Sequence, residues 1–559
     1  MKPELLNEPV KAHFFSSRIP PWRRRFFALI LAAILAVTIV IVVFLEGQRR
    51  GMDRVASALS NDQWTISIAL SDLVYGLNAG YLGYATVHNK LVEVWDQGAA
   101  LAKRDKTANR VFQNDAIRAA MALGPQTGGF VDDRTLITMI YSDIGYVDFA
   151  KLAFRIFGYE IESFYYLYFF LLFLSAAAYM LTFRRYPYQG VVLLCALFAF
   201  FIELHTTIFN DQMPTFHGMR HGSTLALLPA WHFTFLVIHR IRPSAVTVLA
   251  ALIQLAILWL AIQTRGSAAW TIVFVLAVAA AAAWIASRTS PPEERTWPRL
   301  LRNILRWPVV LLIGGLFAYN QYVKTTLHPV YFTDDVLPYH GLWHTAYAGF
   351  WHLPDMIPKN SKAWDLARLG ETDQAGYAAA SEYLHDTRFM QLPANFPATT
   401  LAAPGYISPW TGTIKFKMHD DIMRRVVLQI VKRHPFLALK LYFYVKPIAT
   451  VDILGRVFQT APNHNWLWLL ILGGMSAFGV IGIAGGAQNI PQLARTVLPV
   501  GGAVPFSALP NIWGYPNFHT IADLLLVTLL FLQLLICAAV VVLVTYRPWQ
   551  WATSQLKLN

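Results

Sequence analysis

The sequence predicts a mainly α, polytopic membrane protein of about ten transmembrane helices with two long extracytoplasmic segments. Three observations carry that expectation. Of 559 residues, 56 % are hydrophobic and only 14 % charged, against roughly 25 % charged in an ordinary soluble domain. Apolar runs suited to a hydrocarbon core roughly 30 Å thick recur along the chain, at about 26–45, 164–183, 188–204, 222–238, 244–262, 267–286, 307–321, 466–484, 493–513 and 521–545. The arginines and lysines between them alternate in density, which gives the runs a direction.

The run Phe26 to Leu45 follows Lys2, Lys11, Arg18, Arg23, Arg24 and Arg25, and no small-residue cleavage site comes after it. It reads as an uncleaved first helix with the amino terminus in the cytoplasm. Threading ten spans from there puts Arg184 and Arg185, Arg240 and Arg242, the arginines from Arg288 to Arg306, Arg495, and Arg547 with Lys557 on the cytoplasmic side. Eighteen basic residues then lie inside, against Arg220 and Arg265 in the short outer loops. Arg49, Arg50 and Arg54 follow the first helix on the outside, in a loop long enough to escape the rule. Both termini are thus expected in the cytoplasm. The net charge of +14 is accounted for by orientation, and no nucleic-acid partner is expected.

Three regions follow. An N-terminal membrane module, 1–321, carries a helical extracytoplasmic loop at 46–163, whose helix signals run from Ser60, Asn61 and Asp62 and break at LGPQTGG. An extracytoplasmic domain, 322–465, holds short helices at about 372–388 and 419–433 between proline and glycine punctuation. The stretch 466–559 returns to membrane helices, of which 493–513 is the weakest, being interrupted by Pro499, Gly501, Gly502 and Pro505. Cys195 and Cys537 sit inside apolar runs and read as packing residues, with no disulfide framework outside.

Asp, Glu, Lys and Arg are missing from the middles of the spans, which argues against an ion-coupled transporter. Polar groups gather instead on the outer side, in the acidic cluster from Asp132 to Asp148, in FNDQMPTFHGMRHG (Phe209 to Gly222) and in YHGLWHTAYAGFWH (Tyr339 to His352). In the second long segment, KFKMHDDIMRRVVLQIVKRHPFLALKLYFYVKP (Lys415 to Pro447) sets basic among apolar residues at helical spacing. It reads as an amphipathic helix for the outer headgroup region or as a solvated face.

A long first helix, an outer loop with the paired acids Asp132 and Asp133, the AFRIFG turn (Ala153 to Gly158) and a membrane helix closed by Arg184 and Arg185 together resemble the amino-terminal module of the GT-C superfamily of polytopic glycosyltransferases. HGLWHTAYAGFWH and ALPNIWGYPNFHTIAD (Ala508 to Asp523) are similar to segments of bacterial envelope proteins of that kind. The resemblance implies a GT-C-like fold in the bacterial inner membrane with an extracytoplasmic active site. It implies a polyprenyl-phosphate-linked sugar donor and a glycan, lipid or protein acceptor, with inversion at the sugar. One departure is that Asp132 comes 86 residues after Glu46, whereas many members place the acidic motif close to the first helix.

Such a transfer needs a carboxylate to take the acceptor's hydroxyl proton and cationic donors for the departing phosphate. Asp132, Asp133 and Asp143 are the candidate bases, although Asp132 and Asp143 equally suit caps of helices starting near Arg134 and Gly145. Asp420 and Asp421 are held in reserve, since HDD before an apolar run is first a helix-start signal. Arg134, Arg220, His221, His340 and His344 are the candidate phosphate-binding groups. His340 and His344 are four apart, but without the Glu of HExxH or any cysteine no metal or other cofactor is expected; with Trp343, Tyr347 and Trp351 they suit packing or stacking on a sugar. The alternatives are an O-antigen polymerase or ligase working through Arg220 or His344, a lipid-linked glycan flippase, and an assembly scaffold.

Overall fold

The computed structural model describes most of residues 144–208, 220–326, 342–387, 416–460, 490–514 and 521–556, with scattered positions in 66–73 and 114–122. Among these the secondary structure is helical and contains no strand. The expected first span at 26–45 and the span at 466–484 lie outside the described residues, as do Asp132, Asp133, Arg134, Asp143 and His340.

Helix α1 (Ile144–Phe157) is amphipathic, carries Arg155 in its last turn and stops at Gly158, whose φ of +98° suits glycine. It packs on α2 (Ser163–Phe183) and, across the chain, on α5 (Ala245–Thr264). A buried ion pair, Lys151 Nζ to Asp72 Oδ2 at 3.2 Å, ties α1 to the preceding segment. Helices α3 (Pro187–Ile208), α4 (Leu227–Ile238) and α6 (Trp270–Arg288) complete the first bundle, with a 3₁₀ turn at Arg220–Ala226 leading into α4. The short α7 (Trp297–Ile304) has no buried residue and meets α8 (Trp307–Thr326) at a bend of 70°.

Among the described residues four stretches are long and apolar enough to cross a membrane: Tyr166–Phe183, Ala245–Thr264, Gly266–Arg288 and Ile521–Ala539, with the bent α7–α8 pair a fifth if it is one span. Tyr188–Phe200 and Gly222–Ile238 are apolar but shorter. The outward faces of these helices present Phe170, Phe173, Leu249, Leu252, Val273, Trp284, Ile285, Ile313 and Phe317 to their surroundings. An aqueous protein does not leave so many large apolar side chains exposed along parallel helices, and a hydrocarbon solvent explains them.

After the membrane module comes a second core. Helices α9 (Leu342–Ala348), α10 (Lys362–Arg368), α11 (Thr372–Thr387) and α12 (Phe416–Arg433) enclose Tyr347, Phe350, Met356, Ile422, Met423, Val426, Val427 and Ile430. The helices expected at about 372–388 and 419–433 are therefore present. The apolar face of α12, however, is spent on this core and is not left for headgroups. The exposed apolar stripe lies further on, along α13 (Pro435–Lys440), a π turn (Leu441–Val445) and α14 (Lys446–Thr460), where Phe436, Phe443 and Val451 are 83, 79 and 65 % exposed. Ile453 and Leu454 of α14 pack on the membrane core, so the stripe is continuous with the bundle.

Helix α15 (Ile490–Trp513) runs unbroken through Pro499, Pro505 and Pro510 and packs along α16 (Ile521–Leu556), α6, α14 and α3. Each proline leaves one carbonyl of the preceding turn without its helical donor, and neighbouring helices make such interruptions tolerable. The chain's weakest predicted span is thus one helix after all, although its composition keeps it outside the four.

Close packing of α1 on α5 depends on Gly145, where an added Cβ would meet the side-chain and backbone atoms of Gln263 and come within 2.8 Å of Thr264 N. Gly145→Ala is expected to cost about 1–3 kcal/mol, read as a lower melting temperature of the purified protein in detergent.

Candidate functional site

The bundle sorts its polar groups by end. At one end Gln189 Nε2 meets His239 Nε2 at 2.9 Å, Trp307 Nε1 donates to Ile241 O at 2.7 Å, and Arg306 and Arg495 lie within electrostatic reach of Arg240 and His239 respectively. This is the arginine end, where α2, α4, α6 and α7 finish and α3, α8 and α15 begin.

At the opposite end α2, α6 and α16 begin and α3 finishes, and five polar side chains converge there. Tyr168 Oη and Thr224 Oγ1 are 2.8 Å apart, and Trp270 Nε1 donates to Asp523 Oδ2 at 3.1 Å. Glu203 and Asp523 both act electrostatically on the Tyr168 hydroxyl. Glu203 is fully buried and Asp523 is 7 % exposed. Two carboxylates from helices far apart in sequence are thus enclosed beside one phenol, at the end away from the arginines.

Between the two ends a set of uncharged polar side chains is paired across three helices. Ser175 Oγ donates to Gln254 Oε1 at 2.6 Å, and Gln254 Nε2 donates to Ser175 O at 2.7 Å and faces His232 Nδ1 at 3.4 Å. This ladder ties α2, α4 and α5 together in the manner of polar contacts between membrane helices.

The second core holds its own polar group of residues. His344 of α9 faces His419 of α12 through Nδ1 and Nε2 at 3.1 Å, and its Nε2 faces Asp373 Oδ1 of α11 at 3.3 Å. The Tyr377 ring stacks on His344 with centroids 5.0 Å apart. Gly376 lies against the imidazole, where a Cβ would come within 2.6 Å of its Cε1. Burial and the neighbouring His344 hold His419 well below the ordinary histidine pKa. Asp420 Oδ1 accepts from Trp343 N at 3.0 Å, an N-terminal cap for α9 supplied from another helix, and burial raises its carboxyl pKa against those backbone bonds.

The two groups are joined at the carboxyl end of α15. Lys446 Nζ, fully buried, donates to Trp513 O at 3.1 Å and Gly514 O at 2.5 Å and lies 4.3 Å from the centre of the Tyr442 ring. A cation on the last carbonyls of a helix is the favourable placement. Burial still lowers its pKa to about 7. His352, beside it, falls to about 4 through burial and then through the Lys446 charge. Trp343 packs edge-on against Trp513 at 5.8 Å. The stretch Ala508 to Asp523 therefore bridges the regions, with Trp513 and Gly514 on the second core and Asp523 in the membrane cluster.

Of the residues singled out from sequence, His344 falls in a polar network, while Asp148 lies in α1, where burial raises its pKa against Lys151 and Arg155. Arg220 opens the 3₁₀ turn that carries Thr224, with His221 next to it. Sequence reasoning passed over Glu203, Asp523, His419 and Lys446. The available signal was an acid closing or opening an apolar run at the same predicted level, as Glu203 and Asp523 do.

The chain is thus a helical membrane protein with enclosed carboxylates at one end of its bundle and a second, apolar core that holds a small polar network. No protein-family model, curated protein or solved structure matches the chain. Function is accordingly read from the side chains themselves.

His352 and His419 are held neutral in the folded state. An unfolded histidine takes up its proton near pH 6.5, whereas folded His352 does so only near pH 4. Between those values the unfolded state binds more protons, so stability falls as pH is lowered. Thermal scans from pH 7 to pH 4 should show a declining melting temperature, with a shallower decline in His352→Gln.

Proposed function

We propose that the protein is a membrane glycosyltransferase of GT-C-like fold, taking a sugar from a polyprenyl-phosphate carrier and passing it to an envelope glycan, lipid or protein. In this reading the arginine end faces the cytoplasm of a bacterial inner membrane, both termini lie there, and the carboxylate end faces out. The observation that supports it most is the enclosure of Glu203 and Asp523 beside Tyr168 at the end of the bundle away from the arginines. A carboxylate at the membrane boundary is the group needed to take the acceptor's proton as the sugar is transferred. Arginine or histidine stabilises the phosphate that leaves. Asp132, Asp133 and Asp143 remain proposed bases, joined by Glu203 and Asp523; Arg134, Arg220, His221, His340 and His344 remain the proposed phosphate contacts.

The decisive assay is release of polyprenyl phosphate from a polyprenyl-phosphate sugar by the protein in proteoliposomes. Asp132→Asn, Asp133→Asn, Asp143→Asn, Glu203→Gln and Asp523→Asn are compared at matched melting temperature. Loss of the base should lower turnover about 10²–10⁴-fold. Full activity in all five variants overturns the carboxylate mechanism.

A flippase for the same lipid is the second reading, in which the mid-bundle ladder of Ser175, Gln254 and His232 would exchange its mutual hydrogen bonds for bonds to the headgroup. Translocation of a labelled polyprenyl-phosphate sugar in liposomes without transfer, abolished by Gln254→Leu, decides for it.

A further inference from the structure

Helix α7 (Trp297–Ile304) stands at the arginine end of the bundle and buries none of its side chains, yet its sequence, WPRLLRNI, is strongly two-faced. At about 100° per residue, Trp297, Leu300, Leu301 and Ile304 share one side of the helix. Leu305, just past the last turn, extends that side. Arg299 and Arg302 project from the other side, and Arg306 follows. Trp297, Leu301 and Leu305 are 68, 37 and 49 % exposed.

Two placements are open to such a helix: it can prolong α8 as one span, or lie across it. Helix α8 has 20 residues, about 30 Å at the α-helical rise, and so crosses a hydrocarbon core without help. A span prolonged through α7 would draw Arg299, Arg302 and Arg306 into hydrocarbon, which is costly for each. The 70° bend instead leaves α7 about 20° from perpendicular to α8, the attitude of a helix lying in the membrane plane. Helix α6, on which α7 packs, exposes Trp284 and Ile285 close to its own end. The apolar face of α7 therefore continues the lipid-facing surface of the bundle.

The cations beside it are gathered by a specific contact. Trp307 Nε1, at the start of α8, donates to Ile241 O at 2.7 Å and pins the α7–α8 joint to the turn that follows α4. Arg306 is thereby held within electrostatic reach of Arg240, and Arg302 comes four residues before it. The Arg306 side chain meets Asn303 Oδ1 at 3.3 Å, and among the described residues no carboxylate pairs with Arg240, Arg302 or Arg306. Guanidiniums held together call for an anion, and phosphate oxygens match their geometry.

We propose that α7 is an in-plane anchor whose apolar face enters the acyl-chain boundary, while Arg302 and Arg306, with Arg240, bind the phosphate of an anionic phospholipid. Charge complementarity selects the lipid. A zwitterionic headgroup brings its own cation beside the phosphate and gains less from a cluster of arginines than an anionic one does. The anchor depends neither on the transferase reading nor on which face of the membrane the arginines occupy.

The test uses the full-length protein in nanodiscs of phosphatidylglycerol and phosphatidylcholine. Spin labels on Trp297→Cys and Leu301→Cys report collisions with oxygen, which concentrates in lipid, and with a water-soluble nickel chelate. Cys195 and Cys537 are buried, and label taken up by the wild-type chain gives the background. Both labels should favour oxygen. A label that favours nickel puts the face in water, and one reached by neither reagent puts it under protein, a second copy included; either result overturns the anchor. Lipids that stay with the protein after transfer to detergent from an equimolar mixture are then identified by native mass spectrometry. Phosphatidylglycerol should be retained in preference, and Arg302→Gln/Arg306→Gln should weaken that preference about 30-fold at low salt, the contribution of two arginines near a charged surface. Arg302→Lys/Arg306→Lys keeps the charge and should keep most of the preference. Arg302 is exposed, so Arg302→Gln alone, with a loss of about fivefold, serves where the double variant is unstable. Equal retention of the two lipids by the wild-type protein, or an undiminished preference in the glutamine variants, overturns the phosphate site.

Discussion

A charged or hydrogen-bonding group left unsatisfied in hydrocarbon is costly, and the arrangement of the bundle depends on that cost. It gathers Arg240, Arg306 and Arg495 at one end of the bundle, sets the paired Ser175, Gln254 and His232 ladder in the middle, and places Glu203 and Asp523 near helix ends. Because α2, α6 and α16 start where α3 finishes, residues as distant in sequence as Tyr168, Glu203, Trp270 and Asp523 are brought to one level. Their convergence is a product of antiparallel threading. It also makes the arrangement of the arginines and that of the acids two readings of the same topology.

The second core obeys a different rule. It is small, and its helices α9 and α10 have seven residues each, too few to be stable alone. Side-chain bonds between helices compensate. Asp420 of α12 closes the start of α9, His344 and His419 join α9 to α12, and Asp373 joins α11 to α9. The hydrogen bonds that hold these short helices in place run through two histidines and two carboxylates.

Much of the architecture was legible in the sequence because period and hydropathy are local properties. The runs at 164–183, 244–262, 267–286 and 521–545 announce themselves residue by residue, and the helices near 372–388 and 419–433 follow from their bounding prolines and glycines. Four matters were not legible. The fate of α12's apolar face depends on what packs against it, which no periodicity records. Asp420 looks like the start of its own helix, and its actual partner, Trp343, lies 77 positions away. His344 stood out through its aromatic neighbours, but His419 did not, because its significance comes only from the ring opposite. Glu203 was hidden by its position at the tail of an apolar run, where an acid reads as the boundary of a span and nothing more.

Lys446 occupies space as well as carrying charge. Its ammonium fills the gap between the last carbonyls of α15 and the bare face of Gly349, where any side chain would strike both Lys446 Nζ and Gly514 O. A side chain at 349 would still meet the Gly514 carbonyl however short residue 446 became, and a shorter residue at 446 would strip two carbonyls of their donor. Glycine at 349 and lysine at 446 should therefore persist together wherever the membrane bundle and the second core keep this seating.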